Sequence, residues 1–129
     1  MARVPSIDLE AFEESVRAPL AHVIKDVNGL LGPKLVAYIV GVTETRAVQQ
    51  WAAGTRQPKD VDTEKRVRLA ARVAHLIARH DNSHVAQAWF QGLNPQLGDR
   101  SPARLLREGD LSDVGPKVLA AARAFVAGG

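Results

Sequence analysis

Apolar residues recur at spacings of three and four along nearly the whole chain. No Val- or Ile-rich stretch alternates apolar with polar for long enough to make a strand. That pattern predicts an all-α chain whose helices are punctuated by glycine and proline. A first helix is expected after Ser6 or Asp8, with Leu9, Phe12 and Val16 on its inner side. Pro19 suits the first turn of a second, which turns Leu20, Val23, Ile24 and Val27 inward and stops near Asn28 and Gly29. Gly32 and Pro33 open a third, broken by Gly41. A fourth starts at Thr43 or Glu44 and ends at Gly54, a residue suited to a left-handed cap. A long helix is expected from about Val61 to Arg79, its inward stripe being Leu69, Ala70, Val73, Leu76 and Ile77. Asn82 or Ser83 caps the next, through Val85, Ala88, Trp89 and Phe90, and Ser101 with Pro102 begins a short one ending at Gly109. Ser112 or Asp113 begins the last, in which Val114, Val118, Leu119, Ala122, Phe125 and Val126 repeat at helical spacing.

The chain has 129 residues, which fits one domain or two small helical units sharing a core. It has no cysteine, so stability must come from apolar burial and from a partner chain. No run approaches the roughly 18 apolar residues that span a bilayer, and the segment MARVPSIDLEAF lacks the apolar core of a secretory signal. A cytoplasmic location is expected, with no membrane partner. The net charge of +3 is unevenly distributed: residues 1–31 carry −2, residues 32–80 carry +5 and residues 81–129 are neutral.

The positive segment contains TETRAVQQWAAGTRQP, from Thr43 to Pro58. Two short helices separated by Gly41, Val42 and Thr43 are what a helix-turn-helix requires: the first crosses the phosphate backbone and the second presents outward residues to base edges. With Ala47, Val48 and Trp51 inward, Thr45, Arg46, Gln49 and Gln50 point outward. Arginine can pair with guanine and glutamine with adenine by two hydrogen bonds each. Lys34, Arg56 and Lys59 flank the helix and are candidates for phosphate contact, which gives affinity without sequence information, and Thr43 is a further candidate for contact with DNA. The alternative is a solvated amphipathic helix with a core tryptophan.

KLVAYIVGVTETRAVQQWAAGTRQP resembles the Xre and lambda-repressor-like helix-turn-helix pattern, with Leu35, Ala37, Ile39, Gly41, Val42, Val48, Trp51, Gly54 and Pro58 in the matching places. From the polar residue after Val42 to Trp51 there is one residue more than the usual form, so Thr43 and Glu44 both remain candidates for the cap. AWFQGLNPQLGDRSPARLLREGDLSDVGPKVLAAARAF resembles the toxin-binding domain of Xre/MbcA/ParS-type antitoxins. Trp89, Phe90, Asn94, Leu97, Gly98, Ser101, Pro102, Leu105, Leu106, Gly109 and Val114 match it one by one.

The resemblance implies an N-terminal arm and helix-turn-helix over residues 1–80 and a toxin-binding unit over residues 81–129. It implies an antitoxin that neutralises a RES-domain, NAD-degrading toxin by direct binding and represses its own operon. In such pairs the antitoxin tail obstructs the toxin's NAD-binding cleft. Here the tail would be Arg123 to Gly129, anchored by Phe125 and Val126, with Arg104, Arg107, Asp110 and Asp113 as a polar rim. An ordinary solvated surface accounts for the same rim. A homodimer reading a palindromic operator is expected, because one short helix offers few base contacts.

Catalysis is not expected. There is no Gly-rich phosphate loop, no nucleophile has a recognisable base, and the adjacent Glu13 and Glu14 diverge on a helix. His80 and His84 are four apart, but Asp81, Asn82 and Ser83 read as a helix break between them, so no metal or cofactor is expected. Lys65, Arg68, Arg72, His75 and Arg79 share one helix face. Three uses of that face are open: a solvated surface, phosphate contact, or pairing with the acidic N-terminal helix of a second subunit. Two further functional readings compete with an antitoxin: a stand-alone dimeric regulator without a toxin partner, and an adaptor whose helix-turn-helix serves protein contacts alone.

Overall fold

Long helical periodicities interrupted by glycine and proline give a bundle of seven helices in the computed structural model, which describes residues 19–128. Among these residues there is no strand, only an isolated antiparallel bridge between Asn94 and Arg100. The helices are α1 (Leu20–Leu31), α2 (Pro33–Val40), α3 (Thr45–Ala53), α4 (Val61–His80), α5 (Ser83–Gln91), α6 (Pro102–Glu108) and α7 (Leu111–Gly128). A 3₁₀ turn, Pro95–Leu97, lies between α5 and α6. The helix expected around Leu9, Phe12 and Val16 falls outside the described residues.

The first stop signal is overridden. α1 runs through Asn28 and Gly29 to Leu31, because Leu31 extends the inward row of Val23, Ile24 and Val27 by one more turn. Gly32 then takes φ 83°, and Pro33 fills the first position of α2, where its missing N–H is no loss. Gly41 closes α2 in the left-handed conformation. Its N–H bonds Tyr38 O while Val42 N–H bonds Ala37 O, the paired arrangement that satisfies a helix's last carbonyls. Gly54 closes α3 in the same way, on Trp51 O and Gln50 O.

α4 is the axis of the bundle, in contact with α1 and α2 from the N-terminal side of the chain and α5 and α7 from the C-terminal side. Its buried residues are Val67, Ala70, Ala71, Val73, Ala74 and Ile77, a wider arc than the expected stripe. Leu69 and Leu76 lie at its rim, half-buried. The cause is two-sided packing: small residues face the neighbouring helices, and the larger leucines cover the edge. Gly115 of α7 lies close against Leu69: a Cβ there would stand 3.2 Å from Leu69 Cδ2, tighter than an ordinary contact. In α5 Ala86 turns inward beside Trp89 and Phe90, while Ala88 is exposed. Those two rings meet edge to face, centroids 5.4 Å apart.

Caps decide most boundaries. Asp60 accepts from Thr63 N–H at 2.7 Å, Asn82 from Val85 N–H at 3.0 Å and Ser101 from Arg104 N–H at 3.2 Å. Asp110 accepts from the backbone N–H of Ser112 at 3.0 Å and from its hydroxyl at 2.9 Å, so α7 starts at Leu111, ahead of the expected Ser112 or Asp113. The boundary expected at residue 80 coincides with the end of α4. Buried side chains on both sides of it belong to one continuous apolar cluster.

Arg66 joins the two sides. It falls on the buried arc of α4, four residues before Ala70 and seven before Val73, and its side chain is only 13% exposed. Its guanidinium donates to Leu106 O, to Gly109 O at 3.0 Å and to Asp62 at 2.8 Å. Two carbonyls at the C-terminal end of α6 are thereby satisfied from another helix. Hydrogen bonds of this charged kind contribute about 1.5–3 kcal/mol.

Two glycines set opposite expectations. A Cβ on Gly109 would stand 2.5 Å from Val114 Cγ1 and 2.8 Å from Leu105 O, so Gly109→Ala is predicted to destabilise the protein by about 1–3 kcal/mol in urea unfolding. Gly29, helical with nothing within 4 Å, should gain about 0.5–1 kcal/mol on change to alanine. Asp60 gives a pH signature. Its hydrogen bonds to Thr63 hold its carboxyl below the ordinary value of 3.8. A carboxylate depressed on folding stabilises above its unfolded pKa, and that contribution is lost as pH falls through the folded one. Thermal melts should therefore show Asp60→Ala below the wild type at neutral pH, with the gap narrowing as pH falls below the ordinary value of 3.8.

Candidate functional site

α3 is held by Val48, fully buried, and Trp51, 5% exposed, which pack it against α1 and α2. Among the described residues, the buried Trp51 Nε1 and Asn28 Oδ1 make no hydrogen bond. With these anchors inward, Arg46 and Gln49 are exposed, Thr45 and Gln50 are half-buried, and Ala47 lies half-buried against the core. Glu44 takes the cap position, but its side chain makes no capping bond. The choice between Thr43 and Glu44 thus falls to Glu44, and among the described residues no side chain caps the first turn of α3.

The eight residues expected to face nucleic acid are not brought together: four line one groove, two pair at the other end of α3 and two belong to neither. Lys34, Thr43, Thr45 and Arg46 line one groove of about 720 Å³, together with Ala37, Tyr38, Val42, Glu44 and Arg107. Gln50 and Arg56 meet at the opposite end of α3, where Arg56 Nη1 donates to Gln50 Oε1 at 3.4 Å. The Thr55 hydroxyl also donates to Gln50 O at 3.2 Å. Gln49 and Lys59 are exposed and line neither feature. Of the outward glutamines, Gln50 is thus engaged within the chain, whereas the Gln49 amide makes no hydrogen bond among the described residues.

The residues expected to form a partner-binding rim are also divided. Arg104 is exposed and pairs with Glu108 at 3.1 Å, one turn on. Asp113 pairs with Lys117 at 3.2 Å. Asp110 is engaged as the cap of α7, and its bonds from Ser112 hold its carboxyl below the usual range. Arg107 points elsewhere: Nη1 donates to Tyr38 O at 2.7 Å and the guanidinium lies 4.7 Å from the centre of the Tyr38 ring. It stands in the groove with Lys34 and Arg46. The expected tail is helical through Gly128, with Arg123 exposed and Phe125 and Val126 half-buried against the core. α7 retains these side chains because they continue the helical row from Val118 and Ala122.

The basic face of α4 is partly used within the chain. Arg68 pairs with Glu64 at 3.1 Å and His75 bonds Asp26 of α1. Arg66 and Tyr38 are the residues that sequence reasoning passed over. Arg66 is marked by its i+4 and i+7 relation to Ala70 and Val73. Tyr38 is marked by lying one turn after Lys34, on the outer side of an otherwise apolar helix.

No helix among the described residues is long and apolar enough to cross a membrane. No family model matches the chain, and no curated protein matches it. Among solved structures, it is similar to a chain in the crystal structure of the M. tuberculosis MbcT–MbcA toxin–antitoxin complex. The TM-score is 0.68 and the identity 29%, over 84% of this chain and 95% of that one. In fold and in sequence, the chain is related to a component of a toxin–antitoxin complex.

Proposed function

We propose that the chain is an antitoxin that binds a RES-domain, NAD-degrading toxin directly and represses its own operon as a homodimer. The observation that carries the toxin partnership is the similarity to a chain of the MbcT–MbcA complex, which extends over 95% of that chain. The residues of the antitoxin-like pattern support the antitoxin side of that pair. Trp89, Phe90, Leu97, Leu105, Leu106 and Val114 are all buried and build the packing of α5, α6 and α7. The exposed edges of those helices, with Arg104, Asp113 and Arg123, remain the surface offered to the toxin.

For DNA the proposal rests on the charge and geometry of α2 and α3. α3 presents exposed Arg46 and Gln49, a pair able to read guanine and adenine edges, and cations from neighbouring elements flank its first turn. α3 has nine residues, a length of about 14 Å at the usual helical rise. One copy reads too few bases for high specificity, and two copies placed about 34 Å apart across a palindrome solve that problem. Both partners belong to the cytoplasm.

Purification of the tagged protein from its native cells tests the toxin reading. A RES-domain protein is expected to co-purify, whereas recovery of the protein with DNA alone would favour a stand-alone regulator. On operator DNA, Gln49→Ala should cost about 1–3 kcal/mol at one base-pair position and leave non-specific binding unchanged. Lys59→Gln should weaken binding to all sequences alike. Binding untouched by both changes would reject α3 as the reading helix.

A further inference from the structure

The groove beside the first turn of α3 is built by three separate elements, and each supplies a cation: Lys34 from α2, Arg46 from α3 and Arg107 from α6. Among the described residues, none of the three has a carboxylate partner, whereas Arg66, Arg68, Arg104 and Lys117 all do. The groove's one acidic lining residue is Glu44. The Thr43 and Thr45 side chains and the uncapped N–H groups of α3 add neutral donors. A concavity with surplus positive charge and donors from several directions fits a singly charged tetrahedral oxyanion.

From this geometry, and resting on the DNA-binding reading of α3, we infer that the groove seats a DNA backbone phosphate and that Arg107, from the C-terminal part of the chain, is one of its ligands. Arg107 is preset for this. Its bond to Tyr38 O and its position over the Tyr38 ring fix the plane of the guanidinium and use one of its five donors. Arg107 lines the same groove as Arg46, the residue placed to reach base edges. The antitoxin-like segment then contributes to DNA affinity itself, and Arg107 leaves the toxin-facing rim.

The test is fluorescence anisotropy of the full chain on two duplexes, the sequence upstream of its own gene and a scrambled version, across a salt series. Arg107→Gln is expected to weaken both about three- to tenfold at low salt and to flatten the slope of log K against log salt by about 0.9. Glu44→Gln should strengthen both, and Lys117→Gln, an equal charge change outside the groove, should leave both unchanged. Arg107→Lys keeps the charge and should retain the wild-type slope even if the glutamine variant folds poorly. An Arg107→Gln protein that melts like the wild type and keeps its full slope overturns the phosphate seat. An Arg107→Lys protein that melts like the wild type yet has a slope as flat as that of Arg107→Gln would also overturn it, because a cation kept at the seat should still release its counterion. If the wild type itself shows no salt-dependent binding, the DNA reading of α3 falls, and the seat falls with it.

Discussion

The burial of α4 on two sides is the constraint on which the other helices depend. Its arc of Val67, Ala70, Ala71, Val73, Ala74 and Ile77 is too wide for one neighbour to cover, so it is closed by α1 and α2 from one part of the chain and by α5 and α7 from the other. Three alanines within that arc let the backbones approach closely, and Gly115 extends the approach to α7. Each neighbour therefore completes a surface that the other leaves open. Neither the groove beside α3 nor the surface of α6 would be held in place without that shared axis.

Polar contacts reinforce the same connection. Arg66 reaches from α4 to the carbonyls at the end of α6, Gln87 of α5 donates to Leu30 O of α1 at 2.9 Å, and Arg107 of α6 donates to Tyr38 O of α2. In each case a side chain from one part of the chain satisfies a backbone carbonyl in the other. Such carbonyls are costly to leave unpaired when water is excluded. The consequence is that the groove beside α3 and the exposed edges of α6 and α7 are fixed relative to one another. A ligand that shifts α6 would act on Arg107 and hence on the groove.

Local signals recovered much of this from sequence. Gly41 and Gly54 mark the ends of α2 and α3, Pro33 and Pro102 mark starts, and Ser101 and Asn82 cap where expected, because each depends on a few neighbouring residues. Misplaced features depended on distant neighbours. α1 passes Asn28 and Gly29 because Leu31 finds a pocket in the bundle, and Leu69 and Leu76 move to the rim because α4 is covered from two directions. The inward residues of α3, Val48 and Trp51, were legible from spacing, and so were the outward Arg46 and Gln49. The position of Arg107 was not, since its contact with Tyr38 joins residues 69 apart in the chain.

The two tryptophans lie one in each part, Trp51 in α3 and Trp89 in α5, both buried in the common cluster. Urea unfolding of Trp51→Phe and Trp89→Phe, each followed by fluorescence and far-UV circular dichroism, tests directly whether one core unites the two parts. A shared core predicts that in each variant the remaining tryptophan reports the same midpoint as the loss of helix. Separate transitions, with one tryptophan exposed while a substantial share of the helix signal persists, would contradict it and leave two independently folding units.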